Sequence, residues 1–141
     1  MGLLDRLRDL AGKRETPGLT PDTPGLEIVA EAFDPAVADS AVLASSPAWV
    51  TAAPAVLVHH LSLPPDRVAE AAGILAQDGW ELREQGPDGE RVLVHAVRVQ
   101  VLDALHCAQE RSRMAGLAQR LGGDALGWDA RQPGESPTAP A

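Results

Sequence analysis

Apolar and polar positions alternate most clearly over Val56–Leu63, VLVHHLSL, and the alternation predicts a β-strand. Leu57, His59, Leu61 and Leu63 share one face of it, and Val56, Val58, His60 and Ser62 share the other. The period then lengthens. Over Pro64–Gly79 the apolar positions Val68, Ala71, Ala72, Leu75 and Ala76 recur at helical spacing. Pro64 and Pro65 suit the first turn, Asp66 the positive end of the helix dipole, and Gly79 a left-handed C-cap. Trp80–Gln85 predicts a second strand, with Trp80, Leu82 and Glu84 on one face. Gly86-Pro87-Asp88-Gly89 then predicts a hairpin turn.

Arg91–Val101 predicts a third strand with an almost wholly apolar face of Leu93, His95, Val97, Val99 and Val101. Its other face carries Val92, Val94, Ala96, Arg98 and Gln100. Asp103–Leu121 predicts a second helix, whose inward stripe (Ala104, Cys107, Ala108, Met114, Ala115, Ala118, Leu121) is interrupted by Arg111 and stopped by Gly122-Gly123. Asp124–Trp128 closes the pattern as a short edge strand. Strand, helix, strand, strand, helix, strand is the split βαβ order. The expected class is therefore α+β, a ferredoxin-like βαββαβ unit over residues 55–129. Its antiparallel sheet carries both helices on one face and has an N-terminal extension. The more apolar strand faces are expected to meet the helices, which leaves His60, Ser62, Arg98 and Gln100 on the open face.

The rest of the chain is less regular. Residues 1–15 predict a short amphipathic helix, with Leu3, Leu4, Leu7, Leu10 and Ala11 on one face. Residues 16–25, TPGLTPDTPG, predict a mobile linker. Residues 26–54 predict an acidic extension: Leu26–Phe33 reads as a strand or a helix start, Asp34-Pro35 as the start of a helix reaching Ala44, and Trp49 as an anchor to the domain. Residues 130–141, with Pro133, Pro137 and Pro140, predict a disordered tail.

Charge narrows the partners. The 141 residues carry a formal net charge of −8. A basic patch for nucleic acid or anionic lipid is not in view, and an acidic surface suits a basic protein segment. The strands predicted to be central hold no aromatic residue on which RNA bases could stack. A single cysteine fits a reducing compartment. The first residues lack a signal-peptide core, and no apolar run approaches the roughly 18–20 residues that span a bilayer. A cytoplasmic location is expected. Heavy use of Ala, Val, Arg, Pro and Gly with almost no Lys suggests a GC-rich bacterial genome.

Candidate chemistry is sparse. Adjacent His59 and His60 on a strand point to opposite faces, so they are poorly placed to ligate one metal together. His59, His95 and Cys107 could meet on the helix face, but no HxH, CxxC or HExxH spacing supports a metal site. His106 and Cys107 diverge by about 100° around a helix and make no base–nucleophile pair by themselves. No phosphate loop, dinucleotide fingerprint or nucleophile elbow is present, so no enzymatic activity is expected.

Val58–Ser62 (VHHLS), Asp78–Leu82 (DGWEL) and Leu121–Asp129 (LGGDALGWD), in this order and spacing, resemble the ribonuclease E inhibitor family, also called regulator of ribonuclease activity B. The resemblance covers about Val56–Asp129. Its matching residues are His59, His60, Leu61, Ser62, Gly79, Trp80, Glu81, Gly127 and Trp128. It implies a ferredoxin-like fold without catalysis or cofactor, and a regulatory role in RNA decay through a basic scaffold region of ribonuclease E. The chain departs from the family at Ala125-Leu126, where the family has Tyr-Asp, and in its tail, which has only Glu135 where the family is strongly acidic. The extension at Glu27–Asp39 would then have to supply the acidic surface. The alternative reading is a small-molecule-sensing, ACT-like regulatory domain. Tentative partner contacts are His60, Ser62, Arg98 and Gln100.

Overall fold

The computed structural model describes residues 18–134. The expected helix over 1–15 and residues 135–141 of the expected tail lie outside the described residues.

Five strands form one antiparallel sheet: β1 (Leu26–Ala32), β2 (Pro54–Leu63), β3 (Glu81–Asp88), β4 (Arg91–Val101) and β5 (Asp124–Pro133), in the order β1-β5-β2-β4-β3. Three helices complete the α+β fold: α1 (Asp39–Ala44), α2 (Val68–Ala76) and α3 (Ala104–Arg120), with a short 3₁₀ turn at Pro65–Arg67 leading into α2. Strands β2 and β4 are neighbours at the centre, paired from Pro54↔Val101 to Leu63↔Val92.

All three helices lie on one face. Ala71 and Leu75 of α2, Cys107, Met114, Leu117 and Ala118 of α3, and Val42 and Leu43 of α1 share one core with Leu57, Leu61 and Leu63 of β2. Both longer helices end as their glycines require. Trp80 N–H donates to Leu75 O and Gly79 N–H to Ala76 O; Gly123 and Gly122 repeat the pattern on Ala118 and Gln119. This is the Schellman arrangement, with Gly79 and Gly122 at φ 83. At the other end of α3, Asp103 is the N-cap and accepts from His106 N–H at 2.8 Å.

Four expectations are corrected. First, the segment expected as a loosely packed extension is built into the sheet and core: β1 pairs with β5, and α1 packs beside α3. Its helix starts only at Asp39; Asp34 accepts from Ala36 N–H at 2.9 Å, as a cap would, but the chain makes a single turn there before the helix begins. Trp49 does pack against the core. Second, β5 is no short edge strand. It runs to Pro133, between β1 and β2, so residues 130–133 are sheet rather than tail. Third, the hairpin is tighter than expected, since β3 continues through Gly86-Pro87-Asp88 and only Gly89-Glu90 turn the chain. Gly89 alone there has positive φ (63°), as at the first central position of a type II′ turn.

Fourth, the faces of β4 are reversed. Val92, Val94, Ala96, Arg98 and Gln100 lie opposite Leu63, Leu61, His59, Leu57 and Ala55, on the helix side. Leu93, His95, Val97 and Val99 lie opposite Ser62, His60, Val58 and Val56, on the other side. Part of that second face is covered, in part by a residue of the segment expected to be a mobile linker. Leu19 and Leu26 pack on Val56, Val58 and Val97, and Asp22 pairs with Arg83 of β3 at 2.8 Å. From residues 26–51, Leu26 packs on this face and the Phe33 ring meets His60 there at 4.9 Å.

Candidate functional site

The strand β2 places His59 and His60 as alternation requires. His59 is 2% exposed, on the helix side, edge-on to Trp80 at 5.1 Å. Burial, then the charges of Arg98 and His60, pushes its imidazole down to about 3, so it is neutral. Its Nε2 is buried and has no hydrogen-bond partner among the described residues. Beside it lies a cavity of about 170 Å³, bordered by Arg111, Met114 and Leu126 among others.

His60 belongs to a polar cluster on the opposite side. Its ring lies edge-on to Phe33 at 4.9 Å and to His95 at 4.2 Å. Its Nε2 stands 2.6 Å from Asp129 Oδ2, and Arg131 Nε donates to Asp129 Oδ1 at 2.7 Å. Asp129 is 1% exposed. Burial alone would raise its carboxyl, but the hydrogen bonds from His60 and Arg131 outweigh this and hold it below the usual range. Asp129 is therefore a carboxylate and His60 the donor. Burial, with the charges of His60 and Arg131, lowers His95 to about 4.

Of the tentative contact residues, His60 and Ser62 share this side, while Arg98 and Gln100 are on the helix side. None of the four is free. Ser62 Oγ donates to Asp88 Oδ2 at 2.6 Å and is 3% exposed. Arg98 lies over the Trp80 ring at 4.2 Å, donates to Asp78 O at 2.9 Å and reaches Glu110 at 2.5 Å. Gln100 donates to the other oxygen of Glu110 at 3.0 Å. These two residues tie both longer helices to the sheet. The expectation that they lie on an open binding face is therefore corrected.

The family-motif residues mostly read as structure. Leu61 and Trp128 are core, Gly79 and Trp80 terminate α2, and Glu81 begins β3 with its carboxylate on Arg83. Gly127, at φ 142, lies where a Cβ would collide with the Ala32 carbonyl and come within 2.8 Å of Phe33 Cα. The glycine lets the end of β1 cross β5 closely. His95 and Cys107 do not assemble with His59, since His95 is on the far side of the sheet. Among the described residues no group of three or more His, Cys, Asp or Glu is arranged to hold a metal. Cys107 is buried, which pushes its thiol up to about 12, so it stays protonated.

Asp39, Arg111, Asp129 and Arg131 were not singled out from the sequence as a set. Asp39 is buried, accepting from Arg111 Nη1 at 2.8 Å and from Trp128 Nε1 at 3.1 Å. The alternation Trp128, Ala130, Gln132 against Asp129 and Arg131 continues the strand signal, and it was the available clue to the second pair.

No protein family matches this chain, and no curated protein or solved structure is detectably similar to it. No described helix is long and apolar enough to cross a membrane.

Proposed function

We propose that this chain is a non-enzymatic, cytoplasmic protein-binding module, resembling the inhibitors of ribonuclease E that modulate RNA decay, with a basic protein segment as its partner. The distribution of charge carries this reading. Every described arginine except Arg120 sits against a carboxylate: Arg67 on Glu70, Arg83 on Asp22 and Glu81, Arg91 on Asp124, Arg98 on Glu110, Arg111 on Asp39, Arg113 on Asp78 and Arg131 on Asp129. The exposed carboxylates without an ion-pair partner among the described residues are Glu27, Glu31 and Asp34 at one sheet edge, Glu84, Asp88 and Glu90 near the other, and Asp66 ahead of α2. A field of one sign attracts partners of the other.

The ferredoxin-like reading is supported by the order β5-β2-β4-β3, in which the first and third strands of the unit are central. In this reading β1 and α1 are additions to the unit.

The sensor alternative draws on His59 and the cavity of about 170 Å³ beside it. That volume is below the roughly 300–1,000 Å³ of small-molecule sites, so it ranks second. A thermal-shift screen of amino acids and nucleotides tests it, since a bound ligand raises the melting temperature.

Affinity capture from the native host tests the leading reading. Enrichment of a ribonuclease or an associated decay component over control is expected. Its absence would sink the proposed role in RNA decay.

A further inference from the structure

The outer edge of β1 ends the sheet, and among the described residues no strand pairs with it. Such an edge presents a row of backbone donors and acceptors to any extended chain. Natural edges are commonly blunted by lysine, proline or a cover. This one is not. No basic residue occurs between Leu26 and Ala53. A bulge at Val29 interrupts the ladder to β5, but among the described residues no strand covers the edge itself.

Beside the edge runs a groove of about 520 Å³, between Ile28–Glu31 on one wall and Val37, Val42 and the Ser45–Ala48 turn on the other. A second hollow, of about 380 Å³, continues it past Glu27 and Val50. Ile28 is 51% exposed and Val50 58% exposed. Apolar side chains thus stand next to unpaired backbone, flanked by Glu27, Glu31 and Asp34, none of which has an ion-pair partner among the described residues.

The charges decide the occupant. Two copies joined edge to edge about a two-fold axis would set this acidic patch against itself, and like charges facing across strands destabilise pairing. An extended segment with lysine or arginine alternating with apolar residues meets both features: its backbone continues the sheet and its cations answer the carboxylates. We infer that β1 is a docking edge that takes such a basic, extended partner segment as a sixth strand. The inference gives the surface for the partner class proposed above and rests on that reading.

A labelled peptide of alternating lysine and valine, titrated against the full chain, tests it. Saturable binding is expected. Methylating the amides along one edge of the peptide should abolish binding, whereas methylating those of the other edge should not, because only one edge bonds to β1. Joint reversal, Glu27→Lys with Glu31→Lys, should weaken binding by about tenfold or more. Reversal of Glu84 and Glu90 at the far side should leave it within about twofold. Absence of saturable binding, indifference to amide methylation, or equal loss from the hairpin reversals would each overturn the inference, as would a stable dimer formed through β1. Thermal melts of the variants guard against unfolding. If host capture fails while the peptide still docks, the role in RNA decay falls and the docking edge stands.

Discussion

His59 is neutral because it is buried, and that has a sign. An unfolded chain would protonate it near its ordinary value of 6.5, whereas the folded chain resists until about 3. Between those limits the unfolded state binds the extra proton, so acid favours unfolding. Stability should fall as pH drops through this window, by roughly 1.4 kcal/mol per pH unit from this group. His95, lowered to about 4, adds in the same direction. Replacing His59→Leu should flatten much of the dependence of the denaturation midpoint between pH 6 and 4. An unchanged slope would mean that His59 is charged in the fold. Glycines give a second contrast. Gly127→Ala drives a methyl into the backbone of Ala32 and Phe33, while a Cβ on Gly116 meets none of the described residues within 4 Å. The first change should cost about 2 kcal/mol or more and the second should gain about 0.5–1 kcal/mol, read by urea titration. The opposed directions of His59 and His60 were legible from strand alternation alone. The partners of His60 were not, because Asp129 is far away in sequence and stood just past the strand expected to end at Trp128, while Arg131 stood in what looked like tail.

At the level of elements, the two helix ends were readable because Gly79 and Gly122-Gly123 are local signals with one mechanical meaning. The facing of β4 was not. Both of its faces carry valines, and polarity suggested turning Arg98 and Gln100 outward. The helix side accepts them because Glu110 and the Trp80 ring are there to meet them, contacts no local pattern reveals. The strand β5 was shortened in the sequence reading for a similar reason. Gln132 looks like a tail residue, yet it is buried, accepting from Val50 N–H at 2.9 Å and donating to Val50 O at 3.0 Å. The 18–25 segment was judged by its prolines and glycines, but Leu19 gives it a hydrophobic anchor. The attachment of α1 invites measurement. Arg111→Ala would leave the Asp39 carboxylate buried without its cation, an arrangement that typically costs about 3–5 kcal/mol. Replacing both residues by apolar ones of similar volume should recover much of that loss. Denaturant midpoints of the two singles and the double variant check this. Additive effects would show that the pair is not coupled.

For the whole molecule, the antiparallel α+β class and the central pairing of β2 with β4 followed from the order of periodicities. The fifth strand did not, because β1 alone is an ambiguous run whose meaning depends on a partner at the opposite end of the chain. Net charge was legible as a total and silent about placement. Only the pairing of arginines shows where the surplus acid stands. The β1–β5 register, from Leu26↔Pro133 to Ala32↔Trp128, joins the two ends of the described chain. Such a contact closes a long loop and gains nothing until β5 is already held by β2. Amide exchange should therefore show the β1 protons opening by sub-global fluctuation, well before those of β2 and β4. Equal protection across the sheet would count against this order.

That order has a bearing on when the chain could engage anything. A nascent or damaged copy in which β5 has not yet settled would have no β1 edge to offer. Engagement at that edge would then certify a finished molecule, acting as a built-in inspection step between synthesis and use.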